Sequence, residues 1–358
     1  MSENDTKMPD GRVVRSEAPL NLEMPFETLE NFITPTESFY VRTHFPIPKI
    51  DRDAWWLHVE GEVDKPFAIN YEELLEIKSV TIPATLECAG NNRSFLEPKV
   101  KGVQWGLGAV GTAEWTGVPL SVLLDRAVVR PNAREVILEG SDCGILEDPK
   151  SPPGELTFSR SVPLEKARRD VLLAYKMNGQ DLPAQHGFPV RAIVPGWYAV
   201  ASVKWLQRIM VTQHPFTGYY QTLDYAYWKR QGDIGELTPI YEMQIKAEIA
   251  KPAQGAALPA SSNVRVHGAA WTSTGEMTKV ELSTDGGATW SETNLIGTSK
   301  RNAWRLWEFD WRTSSKPGRA DLIARATDSQ GKTQPVQRDR DRGTYMINHL
   351  LPITVQIR

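Results

Sequence analysis

Cysteine is nearly missing from this chain: 358 residues carry only two, Cys88 and Cys143. That excludes a disulfide scaffold, and the spacing fits neither a zinc finger nor a CxxC redox pair, although one bridge between the two stays open. An excess of either charge is missing too. With 41 basic against 44 acidic side chains and a net charge of −3, the chain offers no footprint for nucleic acid or an anionic membrane. No apolar run approaches the ~18 residues that span a bilayer. The N-terminal stretch MSENDTKMPDGRVVRSEAPL lacks the apolar core of a leader peptide and a twin arginine. A cytoplasmic protein is expected on that ground, or a periplasmic one if a leader was removed. Glycines gather at Gly106, Gly108 and Gly111, yet no Lys-Ser/Thr closes the loop and no strand–GxGxxG–helix order surrounds it, which excludes a nucleotide site there.

What is present suits a globular protein with two cores: 41% apolar and 24% charged residues, with twelve tryptophans, many in short motifs. Residues 1–30 show no periodicity and are expected to be an arm, draped or partly disordered. Residues 31–248 mix strands and short helices. Trp55–Val63 and Glu135–Asp142 read as strands, Asn70-Tyr71-Glu72-Glu73 as a capping box, Pro119–Val129 as an amphipathic helix, and Asn178-Gly179 as a hairpin turn. The fold class is therefore α+β for this domain. Residues 249–358 alternate strands and turns without helices, which predicts an immunoglobulin-like β-sandwich. Asp285-Gly286 reads as a hairpin turn within it, because the alternating acidic ligands of a calcium loop are missing.

The stretch that carries chemistry is VTIPATLECAGNNR, Val80 to Arg93. An apolar run ends at Cys88, a turn-prone Ala-Gly-Asn-Asn follows, and Arg93 comes next. A thiol at a strand end beside a cation has its ionised form favoured, and thiolate is the form that binds a soft metal or attacks carbon. A small buried hydrophobe is the other reading of Cys88. Arg42 and His44 alternate on one short strand, and Arg93, His186, Arg191 and Lys204 all fall at strand ends or turns. Singly each reads as a solvated charge or a loop histidine. Together they describe a basic cavity around one sulfur, suited to a small oxyanion and a phosphorylated cofactor.

From Ser38 onward the chain resembles the sulfite oxidase family of molybdenum enzymes. The resemblance rests on ordered blocks: FYVRTHFPIP, TLECAGNNRS, VKGVQWGLGAVGTAEWTGVPL, LLAYKMNGQDLPAQHGFPVRAIVPG, SVKWL, VELSTDGGATW and WRLWEFDW. It implies a molybdopterin-binding domain followed by a dimerisation sandwich, hence a homodimer. It also implies one Mo-molybdopterin per chain, with Cys88 ligating the metal. His44, His186 and Arg191 match residues that hold the pterin and its phosphate; Tyr40 lies in the first block. Asp142, Cys143, Ser202, Val203 and Lys204 fall in segments that line the cofactor, largely through backbone. Arg42, Trp105 and Tyr225 match the substrate pocket, with Arg93 beside them. The implied reaction is oxygen-atom transfer to sulfite, electrons passing to a separate acceptor such as a c-type cytochrome or oxygen, since no haem domain is attached in the sequence.

Two departures bear on the substrate. Animal and plant members carry two arginines after Cys-Ala-Gly-Asn, where this chain has Asn92-Arg93. They also carry Trp-His-Arg near the C-terminus, where this chain has Asn348-His349-Leu350-Leu351. Nitrate reduction or S- or N-oxide reduction by the same architecture is the nearest alternative. A thiol enzyme using Cys88 with His186 as base, or a scaffold protein, are the more distant ones.

Overall fold

The computed structural model describes residues 6–148 and 151–358. The arm is not shapeless: β1 (Val13–Ser16), β2 (Asn21–Glu23) and β3 (Val41–Arg42) form a three-stranded sheet. Val13, Leu22, Met24, Phe26 and Leu29 are buried beneath it. Glu23 fixes the glycine-rich loop by accepting from the amides of Gly106 and Gly108, both at 2.9 Å. The residues before Thr6 lie outside the described part.

Two five-stranded sheets make the first unit. One runs β11 (Gln180–Asp181), β10 (Leu172–Met177), β7 (Val110–Pro119) and β6 (Val80–Glu87), with β12 (Arg191–Ile193) also pairing with β10. The other runs β5 (Phe67–Asn70), β4 (Trp56–Gly61), β13 (Leu206–Thr212), β8 (Glu135–Gly144) and β9 (Leu156–Pro163), where β4 and β13 are parallel. Helices are few and short. Helix α1 (Tyr71–Glu76) opens on the expected capping box between Asn70 and Glu73. Helix α2 (Leu120–Ala127) buries Leu120, Leu123, Leu124 and Ala127. Helices α3 (Leu164–Asp170) and α4 (Tyr219–Thr222) follow, and a hairpin of β14 (Ala226–Gln231) and β15 (Ile234–Pro239) leads out. No helix of the described residues is long and apolar enough to cross a membrane.

The second unit is a β-sandwich. Its four-stranded sheet is β16 (Lys246–Lys251), β18 (Asn263–Trp271), β22 (Arg305–Arg312) and β21 (Asn294–Ile296). Its five-stranded sheet is β17 (Ala257–Leu258), β24 (Ile353–Ile357), β23 (Gly318–Asp328), β19 (Met277–Ser283) and β20 (Ser291–Glu292). Asp285 closes the loop between β19 and β20 by taking bonds from Ser283 and Thr289.

The units are fused rather than merely tethered. Trp271, Trp304 and Met346 of the second unit pack into the core of the first. The second unit also grips β6 on alternate residues, as strand periodicity requires. Thr85 accepts from the Trp304 amide at 2.7 Å, Glu87 meets Lys246 at 2.5 Å and Trp271 Nε1 at 2.9 Å, and Ala89 accepts from the Met346 amide at 2.8 Å. Lys246 also donates to Asn92, and Glu248 lies 3.7 Å from it. Burial pushes the Glu248 carboxyl up to about 8 against the pull of Lys246. Lys246→Met strands Glu87 in a closed interior. The expected loss is about 3–5 kcal/mol in urea unfolding; a loss below about 1 kcal/mol would show that this contact does not pin the units together.

Candidate functional site

Because alternate residues of β6 face the second unit, Leu86 and Cys88 face the other way, into a cavity. The strand ends in a tight turn: Asn91 donates its amide to the Cys88 carbonyl at 2.9 Å and Asn92 takes the left-handed conformation, φ 72°. A Cβ at Gly90 would collide with the Arg93 guanidinium folded back over the turn, so a side chain there would displace that guanidinium.

The cavity is lined by Tyr40, Arg42, His44, Cys88, Asp142, His186, Arg191, Ser202, Lys204 and Tyr225, among others. A second cavity meets it at Arg42, Cys88 and Tyr225 and is lined further by Arg93, Lys101, Asp224 and Tyr345. It reaches the surface, because the Lys101 side chain is 87% exposed. An inner chamber and an outer funnel thus touch at one sulfur, one guanidinium and one phenol.

The junction is tightly bonded. His44 Nε2 lies 2.7 Å from the Tyr225 hydroxyl, and Arg42 Nη2 donates to the same oxygen at 3.5 Å. Arg42 is further held by the Thr43 carbonyl and by Asn21 Oδ1 at 3.4 Å. In the chamber Lys204 donates to the carbonyls of Arg42 and Gln185, both at 3.0 Å, and Arg191 to those of His186 and Ser202 at 2.9 and 3.0 Å. Ser202 Oγ accepts from the Val194 amide at 3.0 Å. At the funnel wall Arg93 Nε donates to the carbonyl and hydroxyl of Thr344 at 3.1 and 3.0 Å, and Nη1 to the Val103 carbonyl at 2.8 Å.

Burial governs the electrostatics. It drives His44 and His186 well below the usual histidine value, reinforced by Arg42 and Lys204 at the first and by Arg191 and Lys204 at the second, so both rings are neutral. Lys204 is likewise pushed well down by burial and by Arg191, although Asp142 opposes this. Arg191 falls to about 10 through burial, while burial lifts Asp142 to about 6 against Lys204. For Cys88 the expectation is half met. Arg42 and then Arg93 pull the thiol down, but burial outweighs both and leaves it raised. The protein alone does not hold a thiolate there; a soft cation is what would.

These residues fit a molybdopterin. Arg42, Arg191 and Lys204 bring three basic side chains into the chamber against the single carboxylate of Asp142. That excess in a closed space calls for a bound anion such as a phosphate monoester. His186 Nε2, Arg191 Nε and Asp142 Oδ1 are buried without hydrogen-bond partners, as expected of groups that meet the edge of a heterocycle. The donor set adds one thiol at the mouth, and Cys88 and Cys143 are both free.

Three expected residues sit elsewhere. On β8 the alternation that buries Val136, Leu138 and Asp142 turns Cys143 outward, where its thiol meets Glu155. The Val203 side chain packs toward Gly140 instead of lining the chamber. Trp105 lies fully buried behind Tyr40, ring centroids 6.4 Å apart, and lines neither cavity. Sequence reasoning also missed Asp224, Thr344 and Tyr345, which close the funnel. Tyr345 stacks on Tyr225 at 4.9 Å, lies 5.1 Å from the Arg93 guanidinium, and donates to Asp224 Oδ1 at 3.1 Å.

Comparison with known proteins agrees with this geometry. Residues 44–220 match the oxidoreductase molybdopterin binding domain, and residues 237–356 match the Mo-co oxidoreductase dimerisation domain. Rat mitochondrial sulfite oxidase is 35% identical over 341 residues, covering 90% of this chain and 61% of that protein. Sulfite oxidase of Gallus gallus is 34% identical, covering 91% and 73%. An Arabidopsis thaliana NADH nitrate reductase is 34% identical, covering 88% of this chain and 38% of its own length. The chain therefore spans about three fifths of the rat protein. In solved structures, the sulfane dehydrogenase SoxCD from Paracoccus pantotrophus superposes with a TM-score of 0.80 at 28% identity, covering 94% of this chain and 84% of that one.

Proposed function

The chain belongs to the sulfite oxidase family of molybdopterin oxidoreductases, and from that premise we propose that it oxidises sulfite to sulfate and passes the two electrons to an acceptor outside the site. The observation that carries this reading is the pair of guanidiniums, part-buried Arg42 and buried Arg93, on the funnel that ends at Cys88. Two cations converging at the end of a funnel suit a dianion such as sulfite better than the monoanion nitrate.

Cys88 would hold the metal, His44, His186, Arg191 and Lys204 the pterin and its phosphate, with Tyr40, Asp142 and Ser202 completing the chamber. The bound cofactor supplies oxygen-atom transfer to the sulfite sulfur and takes up its electrons. The chain's own part is placement. Arg42 and Arg93 draw the anion down the funnel and offset its desolvation. The Tyr225 oxygen receives the Arg42 N–H and lies beside His44 Nε2; in the neutral tautomer with the ring proton on Nε2 both neighbours donate to that oxygen, and the hydroxyl proton is left to bond a substrate oxygen. Tyr345 stacks against Tyr225 beside that point.

The second unit would pair two copies, a reading that the match to a dimerisation domain supports. Sulfite-dependent reduction of ferricyanide or cytochrome c, against nitrate-dependent oxidation of a reduced viologen, tests the substrate. Sulfite turnover without nitrate turnover is the expected result; the reverse would assign the chain to nitrate.

A further inference from the structure

The funnel that admits an anion also contains a carboxylate. Asp224 lines it beside Arg42 and Arg93, and its charge is felt by Arg42 across the junction. Among the described residues Asp224 nevertheless makes no ion pair with either arginine. Asp224 Oδ1 accepts instead from the hydroxyl of Tyr345, at 3.1 Å.

Tyr345 comes from the far end of the sequence, on a segment clamped to the Cys88 turn. The Met346 amide donates to the Ala89 carbonyl at 2.8 Å, and Thr344 receives Arg93 Nε through both carbonyl and hydroxyl. The ring is held by two neighbours, stacked on Tyr225 at 4.9 Å and set 5.1 Å from the Arg93 guanidinium. These contacts leave the hydroxyl with one place to point, and that place is Asp224.

We propose that Tyr345 is a substrate-positioning residue that holds Asp224 off the two arginines, so that their free N–H groups meet the entering oxyanion rather than an internal carboxylate. Arg42 commits three of its five N–H donors to protein oxygens, those of Thr43, Asn21 and Tyr225, and Arg93 commits two, to Thr344 and Val103. The N–H groups left over are the ones an anion can meet, and an unrestrained Asp224 competes for them at an effectively intramolecular concentration. Arg93 also keeps its orientation through the same segment, so the second unit tunes anion affinity in the first. The proposal rests on the sulfite reading of the site and names the residues that set its affinity for the oxyanion.

The test uses cofactor-loaded protein at pH 8 and low ionic strength, with Tyr345→Phe, Asp224→Asn and the double variant. Sulfate binding by calorimetry is read independently of turnover, beside KM and kcat for sulfite. Tyr345→Phe removes one oxygen and keeps the stacking. It is expected to weaken sulfate binding about tenfold, and to raise KM by a similar factor with a much smaller change in kcat. Adding Asp224→Asn is expected to restore affinity close to that of the parent, a charge-specific rescue that a merely structural role does not give. If the parent binds sulfate and oxidises sulfite but Tyr345→Phe leaves both constants unchanged, or Asp224→Asn fails to rescue, the proposal is wrong and the sulfite reading stands. If the parent neither binds sulfate nor oxidises sulfite, both fall together.

Discussion

Cys88→Ser is expected to abolish turnover while leaving the chain folded. The side chain is buried at the end of β6, between the chamber that fits the pterin and the funnel that admits substrate. Serine is close to isosteric, so packing around Leu86 and Ala89 changes little. What is lost is the soft donor: a hydroxyl stays protonated where even the thiol is pushed up by burial. Losing only an outer partner of a metal ligand costs about 10–100-fold, so losing the ligand itself is expected to exceed about a hundredfold in kcat. Steady-state sulfite oxidation together with an unfolding curve checks this. A folded Cys88→Ser protein that keeps more than about a tenth of its activity would contradict the assignment.

Arg42→Gln is the second large effect, and it acts on the other side of the junction. The guanidinium donates to the Tyr225 oxygen that His44 also contacts, and its charge helps pull the buried Cys88 thiol down. Glutamine keeps a polar head but gives up the cation. A hydrogen bond to a charged group is worth about 1.5–3 kcal/mol, so kcat/KM for sulfite should fall by about 10- to 150-fold, mostly through KM. The drop should shrink as salt rises, because part of it is attraction down an exposed funnel. Unchanged kcat/KM would remove Arg42 from the pocket.

Much of this was legible because it is local. The strand that stops at Cys88, the Asn70 capping box and the Asn178-Gly179 turn are each written in a few adjacent residues, and the structure has all three. Gathering His44, His186, Arg191 and Lys204 around one sulfur rested on their shared places at strand ends and turns, and assigning each a part rested on the ordered motif blocks, since no local pattern brings residues 44 and 204 together. The outward turn of Cys143 could have been read from β8, where Val136, Leu138 and Asp142 share the inner parity. The N-terminal hairpin was missed because strands of three and four residues show no usable period, and because Glu23 earns its place by bonds to a loop more than eighty residues away. Tyr345 and Asp224 were out of reach for the same reason: their pairing spans 121 residues and crosses between the two units.

The most direct measurement is X-ray absorption at the molybdenum edge on freshly purified protein, beside metal and pterin content. This account predicts a single molybdenum per chain, and one sulfur fewer around it in Cys88→Ser than in the parent. A parent protein that carries no molybdenum when expressed with a full cofactor supply, or a metal whose sulfur count is the same in both proteins, would contradict it.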